Sequence, residues 1–434
     1  MKKNLAEISV CCCLFMLSAC GSKSEASYTQ PDGSLDECTL RFSWWGGDDR
    51  HEATLEAIEL WNELHPEITI VAEYGGWDGW TEKVSAQISG NTAPDVMQIN
   101  YDWLINFSKD GLGFYDLYTL DNLDLSGYDE ETLLFGEVKG HLNAVTVSMS
   151  GRGLFYNSEV YDSIGASYPE TWDDLLALGA TFESYGLYPL DLDIQTGGTA
   201  WYLAVVYVQQ TTGREFISMD GDLGFTVEDI KAALDFYKSL EDNHVIRTVQ
   251  TRTDEDGNAA LYQSAEFISG KIAGVLEWGS AIGKYESVLD EGVLESGPLL
   301  TDGSGNSGGW MIKPSLLYAI SADTEYPDEA AEFMDFLLNN EQCAEILGTT
   351  RGIPASSYAF NHLSETGQLD GLAQENSIML SEADTVNVSP YMELTRMKEF
   401  YNTAIEKVSY NAADTADAAQ EMYDSITEYL ESIK

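Results

Sequence analysis

Between residues 40 and 99 the apolar positions alternate between the short runs of strands and the wider spacing of helices. LRFSW, ITIVAEY and DVMQI are compact apolar runs of strand length. Between the first two, HEATLEAIELWNELH sets Ala57, Ile58, Trp61 and Leu64 on one helical face and stops before Pro66. Between the second and third, DGWTEKVSAQIS is helical, with Gly90 just beyond it as a stop signal. Strand, helix, strand, helix, strand in this order predicts right-handed crossovers and a parallel sheet, so the fold class is α/β.

The second half continues the alternation. Thr171-Trp172-Asp173-Asp174 opens a helix with a capping-box pattern, PLDLDI predicts a strand, and WYLAVVYVQQTTG predicts an apolar helix closing on Gly213. FTVEDIKAALDFYKSLED is a capped helix from Thr226. NAALYQSAEFISG and SAIGKYESVL read as helices on either side of the strand KIAGVLEW. DGSGNSGGW is a Gly and Ser connection, and the C-terminal YMELTRMKEFYNTAIEKV and DTADAAQEMYDSITEYLESI read as two amphipathic helices. A chain of 434 residues exceeds what one core usually serves, so two α/β bodies are expected.

The N-terminus has a different pattern. Lys2 and Lys3 precede ISVCCCLFMLSA, too short to span a bilayer but suited to the core of an export signal, although Glu7 is unusual there. The run ends in Leu17-Ser18-Ala19-Cys20-Gly21, which resembles a bacterial lipobox and makes Cys20 the expected lipid acceptor and membrane anchor. Residues 1–20 are therefore read as a lipoprotein signal peptide, and the polar, aperiodic residues 21–38 as a flexible tether. Removing the signal leaves Cys38 and Cys343, two thiols that either pair or stand alone and that build neither a disulfide framework nor a zinc site.

In open parallel sheets ligands bind beyond the carboxyl ends of the strands. WWGGDD, GGWDGW and NYDW follow the first three strands, and Glu277 and Trp278 end a later one. A sugar offers an apolar C–H face and an edge of hydroxyls, which flat aromatics beside carboxylates, amides and Arg would hold. Trp45, Trp278 and Trp310 are assigned to ligand on this argument. Trp80 and Trp103 stay open between ligand and core, and Trp61 and Trp172 go to the core.

Charge narrows the partners. Against 73 Asp and Glu stand 22 Lys and Arg, a formal net charge of −51, which repels nucleic acid and anionic membrane surfaces. No GxSxG elbow between a strand and a helix is present, the one match to that spacing, Gly305–Gly309, lying in the Gly and Ser connection; no phosphate loop or HExxH is present either, and the five His are scattered singly, so no catalytic residue, metal ligand or cofactor site is assigned. Asp191, Asp193 and Gln195 hint at a calcium loop that lacks its Gly and closing Glu.

The lipobox, Trp44-Trp45-Gly46-Gly47, NTAPDVMQIN, LFYNSEVYDSIGASYPETWDDLLAL, GKIAGVLEWGS and ISADTEYPDEAAEFMDFLLNNEQCAEILGTTRGIPAS occur in order. Together they resemble the extracellular solute-binding proteins of carbohydrate ABC transporters, the maltose-binding-protein-like group, over essentially the whole mature chain. The resemblance implies a two-lobed periplasmic-binding-protein-like (type II) fold with a hinge and a central ligand cleft. Lobe one would be residues 39–147 and 310–358, and lobe two 148–309 and 359–434. It also implies a monomeric, extracytoplasmic, lipid-anchored binding protein, not an enzyme, that captures a sugar or oligosaccharide by hinge closure and delivers it to permease subunits. Carried over by position, Trp45, Asp49 and Arg50 occupy the first strand-end loop and Asn100 and Tyr101 the third. Gln195 precedes the Trp201 helix, Glu277 and Trp278 lie in the second lobe, Trp310 at the crossing and Arg351 before Gly-Ile-Pro; Trp77 is added on its strand-end place. Asp49 stands where some maltodextrin-binding members have a basic residue, which points away from that ligand. With Arg50 and Arg351 as the chief cleft cations, a neutral ligand is expected, the alternatives being a secreted carbohydrate-active enzyme or a receptor for a peptide or polyol phosphate.

Overall fold

The structure, a computed structural model, describes residues 38–192, 198–257, 259–290 and 292–433. The signal, the lipobox Cys20, the tether short of Cys38, and Gln195 lie outside the described residues.

The first lobe opens with β1 (Cys38–Trp45), α1 (Asp48–Leu64), β2 (Ile68–Gly75), α2 (Trp80–Ser89), β3 (Val96–Ile99) and the short α3 (Trp103–Phe107). β2 and β3 flank β1 in parallel, as the alternation predicts. The next long strand, β4 (Val145–Asn157), belongs to both lobes. Its first half pairs antiparallel with β7 (Met311–Ile320); its second half pairs with β5 (Gly274–Trp278) and β6 (Leu294–Ser296) of the second lobe. β7 in turn runs antiparallel to β3, so the sheet is mixed and not purely parallel. Late residues thus return to the first sheet, a pairing no local pattern encodes.

Successive strand residues face opposite sides, which separates the two tryptophans at the end of β1. Leu40, Phe42 and Trp44 pack against Ala57, Ile58 and Trp61 of α1 and against Phe333 and Met334 of a later helix. Trp45 goes to the other face with Trp80, Met97, Ile99 and Trp103. Trp44 has a polar partner as well, its indole N–H donating to His51 Nδ1 at 3.1 Å.

The second lobe's core is built around two helices, α4 (Thr199–Thr212) and α5 (Val227–Asp242). α5 begins with the anticipated capping box, Thr226 with Asp229, and the helix Trp172–Glu183 has the matching one from Thr171 and Asp174. Helix α6 (Gly371–Ser381) lies on β4, and α7 (Thr395–Ser409) and α8 (Thr415–Ile433) complete the chain.

Several expectations are revised. Over its described residues, 189–192, PLDLDI is no regular strand; Asp191 makes only an isolated bridge to Val275. The helix expected over 258–270 is a 3-10 turn, Leu261–Gln263, followed by the single turn Ala265–Ile268, because Ser264 caps a new start. The helix Ser357–Glu365 packs with Ala344 and Ile353, and the Tyr358 hydroxyl lies 2.8 Å from that of Ser126, so first-lobe packing runs past residue 358 to Leu369. Cys38 and Cys343 are both buried and free, and burial pushes the Cys38 thiol up to about 11.

Candidate ligand site at the lobe junction

Three indoles cluster beyond the carboxyl ends of β1, β2 and β3. Trp45 has its ring centroid 5.1 Å from that of Trp77 and 5.4 Å from that of Trp103. Trp77 and Trp103 are nearly parallel, at 18° and 6.4 Å. Trp45 and Trp103 are buried, whereas Trp77 is 49% exposed and presents the outward face of the cluster. Behind them, the Trp45 carbonyl accepts from Arg50 Nη1 and Gln98 Nε2, both at 3.1 Å, which fixes the strand end.

The facing surface comes from β4, β5 and β7. Register places Arg152 opposite Trp278 and Ser150 opposite Lys313, so strand alternation brings Arg152, Lys313 and Trp278 to one face. Arg152 and Lys313 both lie 4.6 Å from the Trp278 ring, and Arg152 is 5.1 Å from that of Tyr202, within cation–π range. Lys313 Nζ reaches Glu393 Oε2 at 2.6 Å, and Lys398 Nζ reaches the same oxygen at 3.2 Å. Burial alone would raise the Glu393 carboxyl, but Lys313 and Lys398 hold it well below the usual glutamate range. Lys313 itself is pushed down, first by burial and then by Lys398 and Arg152, with Glu393 offsetting only part. Three cations thus surround one fully ionised carboxylate, the reverse of the balance in the whole chain.

The two surfaces meet at α3. Asp102, whose Oδ1 accepts from Asn100 Nδ2 at 2.6 Å, is pushed up by burial and by Glu393, and pulled back by Lys398 and Lys313. Tyr101 is 1% exposed, and its hydroxyl lies 3.6 Å from the Met219 sulfur of the second lobe.

Other predicted residues fall elsewhere. Arg50 donates from Nε and Nη2 to the Thr350 carbonyl at 3.0 and 2.9 Å; burial first, then the charge of Arg351, lowers it to about 10. Arg351 is buried and donates to Gln98 Oε1 at 3.0 Å and Thr54 Oγ1 at 2.8 Å. Both arginines fasten the returning segment to lobe one. Asp49 is exposed in the first turn of α1, on a depression it shares with Gly348, Thr349 and Thr350. Glu277 pairs with Gly153, so its side chain leaves from the face opposite Trp278, and its Oε1 accepts the Trp278 backbone N–H at 2.8 Å. Trp310 is a correction: fully buried, it stacks on Trp172 at 11° and donates to the Leu300 carbonyl at 3.3 Å, locking the crossing loop into the second core. Asp191, the first residue of the calcium hint, is ion-paired with Arg247 and Arg252.

Sequence reading missed Arg152, Lys313, Lys398, Glu393 and Asp102. Arg152 and Lys313 did carry a signal, since each is a lone charge inside an apolar strand, GRGLFYN and WMIKPSLLYAI, where burying a charge is costly without a reason.

Residues 56–370 match the family model described as bacterial extracellular solute-binding protein. The chain belongs to that family. A periplasmic solute-binding protein of Pectobacterium atrosepticum is 34% identical and superposes with a TM-score of 0.85, covering 92% of this chain and 100% of its own. A periplasmic oligogalacturonide-binding protein of Yersinia enterocolitica, solved with saturated digalacturonic acid, is 32% identical with a TM-score of 0.81 over 92% and 100% of the two chains. A maltooligosaccharide ABC transporter solute-binding lipoprotein of Streptococcus pneumoniae is 22% identical over 100% of this chain and 98% of its own. Relatives and family are two-lobed solute-binding proteins. Among the described residues no helix is long and apolar enough to cross a membrane.

Proposed function

We propose that this protein captures a carboxylate-bearing oligosaccharide between its lobes and presents it to the permease of an ABC importer. One observation carries the reading: Arg152, Lys313 and Lys398 gather around Trp278 and Glu393 at the lobe junction of a chain whose formal net charge is −51. Burying Arg152 and Lys313 there, with the more exposed Lys398 beside them, costs desolvation, which an anionic ligand repays. The Yersinia relative, solved with an acidic disaccharide, supports the same class. Trp77, with Trp45 and Trp103 behind it, supplies the flat face for a sugar ring, Asn100 a hydroxyl partner, and the three cations the carboxylate partners. Trp278 orients cations more than it stacks on sugar, because Arg152 and Lys313 already lie over its ring.

The neutral ligand expected from the sequence rested on Arg50 and Arg351, and both are committed to lobe-one acceptors. Closure turns about the crossing strands β4 and β7, and ligand touching both lobes favours the closed form. The lipobox at Cys20 and the pneumococcal lipoprotein relative support a lipid anchor that keeps a monomeric receptor beside its permease. No chemistry is done on the sugar.

The test is thermal melting with digalacturonate, a matched neutral digalactoside and maltotriose, followed by chromatography of the mixtures. Digalacturonate should raise the melting temperature saturably, by the equivalent of about 2.7 kcal/mol at a hundredfold excess over Kd, and be recovered intact. Equal stabilisation by the neutral sugar would remove the carboxylate reading; cleavage of any sugar would remove the transport reading.

A further inference from the structure

The lobes touch through a contact that lies beside the proposed ligand contacts but is separate from them. Residues 217–223 form a tight turn in the second lobe, with Ile217 bridging Leu223 and Ser218 N–H donating to the Asp222 carbonyl at 2.9 Å. Gly221 has φ +81°, and any Cβ there would strike the Tyr391 ring at about 3 Å, so glycine lets the turn lie flat on the Tyr391 side chain. At the tip, Met219 reaches across to pack on the first lobe's aromatic cluster, and its sulfur meets the Tyr101 hydroxyl at 3.6 Å. The contact is reciprocal: Ile105 of α3 packs on the second lobe's core, and α3 borders the turn Pro390–Glu393 that contains Tyr391.

We infer that the turn carrying Met219 is a closing latch, which makes Met219 and Ile105 positioning residues that set ligand affinity without touching ligand. The inference rests on the capture role proposed above. Any rotation of the lobes about β4 and β7 that opens the junction must withdraw Met219 from the Tyr101 side. A contact that opening breaks adds its apolar burial to the closed form alone, and so raises the closed fraction even without ligand. Apparent affinity scales with that fraction. A thioether suits the task, being flexible and polarizable enough to seat on aromatic surface without demanding one geometry. The fixed turn behind it limits the entropy lost on closing.

The test compares wild type with Met219→Ala, Ile105→Ala and Met219→Leu by small-angle X-ray scattering without ligand and by digalacturonate titration. Both alanine variants should enlarge the ligand-free radius of gyration. They should also weaken digalacturonate on the order of tenfold, the scale on which truncating a half-buried apolar side chain shifts a two-state population. Met219→Leu should restore most of both. Melting curves with a single cooperative transition establish that each variant is folded, and Ile105→Ala probes the same latch from the opposite lobe. Ligand-free scattering unchanged in both alanine variants overturns the latch. If wild type binds no digalacturonate, the proposed ligand class fails while the ligand-free scattering still decides the latch.

Discussion

Asp102 brings an unfavourable charge to the junction. Burial is the largest influence on its carboxyl and Glu393 adds to it, so it titrates above the usual aspartate range. A raised folded pKa means that the protonated form is the better-tolerated one: its stabilising share is complete below the unfolded value and is lost as pH rises through the folded one. Binding follows the same sign, because a proton on Asp102 removes a negative charge from beside Lys313 and Lys398. Digalacturonate should therefore bind more tightly as pH falls from about 7 to about 5, while its own carboxylates are still ionised. Asp102→Asn should melt higher at neutral pH and flatten that dependence. Calorimetric titration at both pH values checks it, and an unchanged slope in the variant would exclude Asp102 as the source. Much at this scale was legible in sequence. The strand-end rule put Trp45, Trp77 and Asn100 at or just past the carboxyl ends of β1, β2 and β3, which is where the structure has them, because local order alone decides that place. It misjudged Trp310, since a loop tryptophan and a core tryptophan differ only in what the fold places above them.

Among the elements, β4 carries the most structural obligation. Its two glycines, Gly151 and Gly153, lie under α6, where Asn376 Nδ2 donates to the Gly151 carbonyl at 3.0 Å. A Cβ at Gly153 would fall inside the Asn376 carboxamide, and one at Gly151 would meet the Leu380 side chain. Gly153→Ala should thus cost about 1–3 kcal/mol, the usual price of overpacking, and lower the denaturation midpoint in urea without a change in slope. A midpoint equal to wild type would mean that α6 can lift from β4 freely. Helices with side-chain caps were readable, Thr171 with Asp174 and Thr226 with Asp229, because a cap is local chemistry. The dual allegiance of β4 was not, since pairing partners lie more than a hundred residues away.

On the scale of the whole molecule, the charge distribution sets a test that separates acidic from neutral ligands by rate. With a formal charge of −51, the chain repels an approaching uronate at long range, whereas Arg152, Lys313 and Lys398 attract it only after it has entered the junction. Repulsion acts through solvent and is screened first: the Debye length shrinks from about 30 Å at 0.01 M salt to about 10 Å at 0.1 M. The cations beside Trp278 are sheltered and lose less of their pull. Raising salt over that range should therefore speed association of digalacturonate, followed by tryptophan fluorescence in stopped flow, while Kd changes less than the association rate does. A neutral oligosaccharide, feeling neither field, would associate at a rate indifferent to salt. Association of digalacturonate that slows with salt would mean that the junction cations dominate the outer field, and the picture of an acidic shell around a cationic mouth would be wrong.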